Sequence, residues 1–89
     1  MKTWQIEVKP SAEKQYLKLD RKMRKRLKGA LQELEKEENP FLHPRVRALT
    51  GELKGDYRMR VGGLRVLFTP DNETRMLYVY AILPRGDAY

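Results

Sequence analysis

The chain has no cysteine among its 89 residues, and only one histidine and one tryptophan. Without cysteine there can be no disulfide, no zinc–thiolate centre and no thiol nucleophile, and the composition suits a reducing compartment. No His, Asp or Glu cluster has metal-ligand spacing, so neither a metal nor another cofactor is expected. No apolar run approaches the length of a membrane span. Residues 1–8 read MKTWQIEV, too short and too polar for a secretory core, so a soluble, cytoplasmic chain is expected. A glycine-rich nucleotide loop is also missing, because Gly62-Gly63 reads as a hairpin turn. The acids Glu33, Glu35, Glu37 and Glu38 crowd one helix end and read as a solvated surface, not a paired-carboxylate hydrolase site. A chain of this length forms one domain, residues 1–89, with a modest core. Chemistry on it therefore belongs on an open face or in a shallow groove.

What is abundant is positive charge. Nineteen Lys and Arg against twelve Asp and Glu give a net charge of +7. Such an excess favours a polyanionic partner, although a generally basic soluble surface has the same composition. The placement of the charges separates these readings.

Along the chain, Trp4, Ile6 and Val8 alternate with polar residues, predicting a strand that Pro10 ends. Ser11 is the expected N-cap of a short helix through Leu19, with Ala12, Tyr16 and Leu19 on one stripe. Asp20 is expected to cap a second helix over 21–37, whose inner face is Met23, Leu27, Ala30, Leu31 and Leu34. The short connection predicts an antiparallel α-hairpin, and Asn39-Pro40 is the expected stop. A short strand over 46–49 and a turn over 51–55 follow. Strands over 57–61 and 64–68 are then joined by Gly62-Gly63, a strong hairpin signal. Pro70-Asp71-Asn72 reads as a further turn. Residues 76–83, Met-Leu-Tyr-Val-Tyr-Ala-Ile-Leu, read as a central strand buried on both faces. The order β-α-α-β-β-β-β predicts an α+β fold: an N-terminal strand, an α-hairpin and a mainly antiparallel four-stranded sheet region, with the helices on one side.

The second helix opens with Arg21, Lys22, Arg24, Lys25 and Arg26 and closes with acids, the reverse of what the helix dipole favours. The pattern leans to a phosphate or partner surface, with Lys22 and Arg26 the candidate contacts should the polyanion be RNA; a solvated face with Glu–Lys pairs is the alternative. In the hairpin, a two-residue turn sets Arg60 directly opposite Arg65, with Arg58 one pleat away on the same face. Like charges opposite one another destabilise a sheet. A polyanion would neutralise them, since the guanidinium fork grips phosphate oxygens with two hydrogen bonds. The competing possibility pairs each arginine with an acid such as Asp56, Glu52 or Asp87. Arg85 follows the last strand, and Tyr89 lies close enough in sequence to join the same site, where it could stack on a base. His43, in Asn-Pro-Phe-Leu-His-Pro, reads as structural or solvent-facing.

Leu49-Thr50-Gly51, the Tyr57–Phe68 stretch with its Tyr-Arg-x-Arg-x-Gly-x-x-Arg pattern, and the final strand with Pro84-Arg85-Gly86-Asp87-Ala88-Tyr89 resemble the RelE/ParE toxin superfamily over nearly the whole chain. The resemblance implies a toxin of a type II toxin–antitoxin pair. RelE-like members cut mRNA in the ribosomal A site without a metal; ParE-like members share the fold and inhibit DNA gyrase. Both are neutralised by a cognate antitoxin. A RelE-like reading makes Arg60 and Arg65 the phosphate-binding catalytic groups and Arg85 the group at the leaving oxygen. Arg58 would hold the RNA backbone and Tyr89 would orient a nucleotide. Three positions depart from the RelE pattern: Arg58 and Arg60 stand where the basic pair is often lysine, and Leu64 stands where an aromatic flanks the hairpin arginine.

Overall fold

The computed structural model describes residues 3–84. The elements are β1 (Gln5–Val8), α1 (Pro10–Leu17), α2 (Arg21–Glu35), β2 (Val46–Ala48), β3 (Tyr57–Val61), β4 (Leu64–Asp71) and β5 (Met76–Pro84), with 3₁₀ turns at Pro40–Leu42 and Gly51–Leu53. The fold is α+β, as expected, but all the strands join one five-stranded sheet in the order β1-β5-β4-β3-β2. β1 runs parallel to β5 and every other pair is antiparallel. The two helices supply the crossover that a parallel neighbour requires.

Leu27, Ala30 and Leu34 from α2 and Ala12 from α1 pack on Met59, Val61, Val66, Phe68, Leu77, Val79 and Ile82. These sheet residues share one face, their alternation shifting by one in β5 at the Leu67/Phe68 bulge, so the helices cover one face and leave the other bare of helices. An aromatic chain reinforces the covered side. Trp4 meets Phe41 edge-on at 5.2 Å, Phe41 lies 4.6 Å from Tyr57, and Tyr57 stacks on Phe68 at 6.0 Å. Among the described residues, no helix is long and apolar enough to cross a membrane.

Several boundaries differ from expectation. Pro10, not Ser11, opens α1: Lys9 is the cap residue and Pro10 takes the first helical position, where its missing N–H costs nothing. Ser11 is freed to donate from Oγ to the Tyr80 carbonyl at 2.8 Å, and Gln15 Oε1 accepts from Ile82 N–H at 2.6 Å. α1 thus satisfies the edge of β5 beyond the point where β1 ends. Asp20 caps α2 as expected, accepting from Met23 N–H at 2.8 Å. The helix stops at Glu35, ahead of Asn39, whose side chain caps the following 3₁₀ turn.

β4 continues through Pro70 and Asp71, which pair with Leu77 and Met76; the turn falls at 72–75 instead. Proline is tolerated there because β3 begins opposite Phe68, leaving that flank of β4 without a neighbour. β5 is not buried on both faces. Leu77, Val79 and Ile82 are buried, whereas Tyr78, Tyr80, Ala81 and Leu83 are half-buried, because the helices cover only one side.

Candidate nucleic-acid interface

The β3–β4 turn determines the site. Gly62 has φ 59° and Gly63 has no positive φ, the pattern of a II′ hairpin turn with glycine in its first central position. Gly62 also lies against α2: a Cβ there would sit 3.2 Å from both Arg26 Nη1 and the Met23 methyl. Any larger residue would therefore strain the backbone and crowd Arg26.

The resulting register is Val61↔Leu64, Arg60↔Arg65, Met59↔Val66 and Arg58↔Leu67. Arg58, Arg60 and Arg65 project from the bare face, since Met59, Val61, Leu64 and Val66 belong to the core. Arg60 is exposed; Arg58 and Arg65 are half-buried. Among the described residues, no carboxylate lies within ion-pair distance of Arg60. Asp56, an expected internal partner, has its carboxylate occupied by two hydroxyls: Thr69 Oγ1 at 2.8 Å and Tyr80 Oη at 2.7 Å. Glu52 sits exposed on the 3₁₀ turn before β3.

β2 adds a residue that sequence reasoning missed. Arg47 lies directly opposite Arg58 in the β2–β3 register, a second arginine–arginine cross-strand pair on the bare face. Its Nη1 donates to the carbonyls of Pro44 and Val46 at 3.1 and 3.0 Å, so it lies along the sheet edge. The Val46-Arg47 alternation was the available signal, but nothing local specified β3 as the partner strand.

Arg26 is brought to the hairpin turn through Gly62, while Lys22 lies exposed one helical turn earlier. The last described residues of β5, Leu83 and Pro84, pair with Arg65 and Leu64. Arg85 and Tyr89 lie outside the described residues, as does Asp87.

His43 is a structural clip. It is 6% exposed and donates from Nε2 to Glu33 Oε1 at 2.9 Å. Its Nδ1 accepts from Arg45 N–H at 3.1 Å, which makes Nε2 the protonated nitrogen of a neutral ring. It therefore ties α2 to the approach of β2, on the helix-covered side of the sheet. The His43 hydrogen bond lowers the Glu33 pKa from its ordinary 4.5. A carboxylate with a depressed folded pKa stabilises the fold above its unfolded pKa and loses that contribution as pH falls through the folded value. The stability difference between wild type and Glu33→Gln should therefore shrink as the pH falls below 4.5. Urea titrations of both chains from pH 7 to pH 3 would measure it.

Two helices over one face of a five-stranded, largely antiparallel sheet make up the fold of the RelE-like toxins. Residues 6–89 match the family model for the ParE toxin of the type II toxin–antitoxin system parDE, and the chain belongs to that family, within the RelE/ParE superfamily. Solved structures agree on the fold. A chain of the RelBE2 toxin–antitoxin complex from Mycobacterium tuberculosis is similar at TM-score 0.81 and 23% identity, covering 98% of this chain and 97% of that one. A chain of the archaeal RelE–RelB complex from Pyrococcus horikoshii OT3 gives 0.78 and 25%, covering 97% and 99%. The YoeB dimer from Staphylococcus aureus gives 0.70 and 22%, covering 98% and 99%. No curated protein sequence matches.

Proposed function

We propose that this toxin is a metal-free endoribonuclease that cuts mRNA in the ribosomal A site and so halts translation. The observation that carries the reading is the Arg60–Arg65 pair: two guanidinium groups on opposed positions of one hairpin, on a face without helices. Two guanidinium forks at opposed positions can each grip the oxygens of one bound phosphate.

In the proposed reaction the RNA 2′-oxygen attacks phosphorus, the P–O5′ bond breaks, and a 2′,3′-cyclic phosphate and a 5′-hydroxyl result. Arg60 and Arg65 hold the nonbridging oxygens as charge accumulates on them, the term that contributes most in such reactions. Arg58, with Arg47 beside it, holds the adjoining backbone. Arg85 stabilises the charge on the leaving 5′-oxygen, which takes its proton from water, and Tyr89 orients a nucleotide. Lys22 and Arg26 extend the contact along α2. Arginine does not accept protons at neutral pH, so the 2′-hydroxyl proton leaves to the ribosomal surroundings, and free RNA is a poor substrate. The place of action is the cytoplasm.

A cognate antitoxin is the second partner; similar structures are toxin–antitoxin complexes. An apolar groove of about 390 Å³, lined by Ile6, Val8, Tyr16, Leu17, Leu31 and Ile82, fits an amphipathic segment, and Leu17 at its rim is 61% exposed.

A second reading, inhibition of DNA gyrase by binding, is favoured by the ParE family match and by the tethering of His43 on the other side of the sheet. Induced expression with mRNA ends, protein synthesis and plasmid supercoiling followed separately decides between them. Translation arrest with cuts at fixed codon positions is the expected result. Intact mRNA with altered supercoiling would overturn the nuclease reading in favour of gyrase.

A further inference from the structure

The bare face carries a second constellation beside the arginines. Asp56 precedes Arg58 by two residues, about 7 Å along an extended chain, roughly the step of one nucleotide in an unstacked strand. It borders a shallow cleft of about 480 Å³ lined by Lys9, Leu53, Asp56, Thr69, Tyr78 and Tyr80. Tyr80 reaches Asp56 because β5 carries one extra residue opposite the Leu67–Phe68 step, a bulge that re-aims its side chain.

The hydrogen bonds define what the cleft can read. Thr69 donates to Oδ1 and Tyr80 to Oδ2, which fixes the plane of the carboxylate and leaves each oxygen a further lone pair. Burial and the neighbouring Asp56 push the Tyr80 pKa well above its ordinary value of 10, so its phenol stays a donor. Tyr78 supplies an aromatic wall, with Lys9 Nζ 4.6 Å from the ring centroid. An oriented carboxylate beside an aromatic surface is a reader of N–H groups on a stacked base.

We propose that this cleft is a base-reading subsite for guanine, whose N1–H and N2–H donate to the Asp56 carboxylate while the ring stacks on Tyr78. Guanine alone among the RNA bases presents two adjacent N–H donors on its Watson–Crick edge. Adenine and cytosine set a ring lone pair beside their amino group, and uracil flanks its one N–H with carbonyls; each would turn a lone pair toward the carboxylate. The subsite rests on the RNA-cleaving reading and deepens it by assigning a base next to the phosphate held by the arginines.

The test uses the full chain and two 2′-O-methyl pentanucleotides, which cannot be cleaved: adenosines flanking a central guanosine, or flanking inosine, which lacks the N2 amine. Calorimetric titration should show wild type binding the guanosine oligomer about tenfold tighter, the worth of one hydrogen bond to a charged group. Asp56→Asn should bind both alike, and Tyr80→Phe should narrow the difference. Equal affinities or no binding of either oligomer to wild type overturns the subsite, and this arm needs no variant to fold. A preference that survives in Asp56→Asn overturns it too. mRNA cleavage in a translating extract is scored separately. Guanosine preference without cleavage removes the nuclease reading and keeps the subsite; cleavage without preference does the reverse.

Discussion

Arg60→Ala should lose mRNA cleavage by about 10²–10³-fold, the effect of removing one donor from a preorganised oxyanion site, while leaving the domain at least as stable as before. The two halves of this result have one cause. Arg60 is exposed, stands across from Arg65, and among the described residues has no carboxylate within ion-pair distance. Its removal relieves a cross-strand repulsion of about 0.2–1 kcal/mol. Arg60→Lys keeps the charge but not the planar fork, and should fall between wild type and alanine. Single-turnover cleavage on programmed ribosomes, paired with thermal unfolding at low and high salt, reads both quantities. An activity loss accompanied by several degrees of destabilisation would make Arg60 a structural residue instead. Full activity in both variants would remove the arginine pair from the mechanism.

Phe68→Ala should cost about 3–5 kcal/mol, the range for emptying a buried aromatic position. Phe68 is wholly buried, stacks on Tyr57, and sits beside the β5 bulge where β3, β4 and β5 meet. Domains of this size are stable by about 5–15 kcal/mol in total, so the midpoint should fall by about 15 °C or more. Leu42→Ala, at a side chain 78% exposed, is the control and should stay within about 0.5 kcal/mol. Calorimetry of both settles it. A Phe68→Ala loss under about 1 kcal/mol would mean that the aromatic chain closes over the gap and is not the keystone of the covered face.

Much of the site was legible because a two-residue turn leaves no freedom of register. Once Gly62-Gly63 is read as the turn, the pairing of Arg60 with Arg65 and the face of Arg58 follow by alternation. The Asp20 cap was legible for a similar reason, since its chemistry is complete within three residues. Ser11 misled because two good helix starts stand side by side, and a distant acceptor, the Tyr80 carbonyl, takes the serine hydroxyl. The reading of β5 as buried on both faces failed because an apolar run reports hydrophobicity without reporting how many layers will cover it. Arg47 was missed because the connection from β2 to β3 is a 3₁₀ turn and loop, which leaves the register to be chosen by long-range packing.

The amino-acid order by itself determined the number and type of the elements, the hairpin register and the crowding of like charge on one of its faces. These are local matters, governed by periodicity, caps and a glycine turn. Only the tertiary structure decided that β1 would join the sheet parallel to β5, that Arg26 would rest on Gly62, and that Asp56, Thr69 and Tyr80 would meet across three chain segments. Those arrangements depend on how separate surfaces fit together, and no stretch of chain carries that information until its partner is against it.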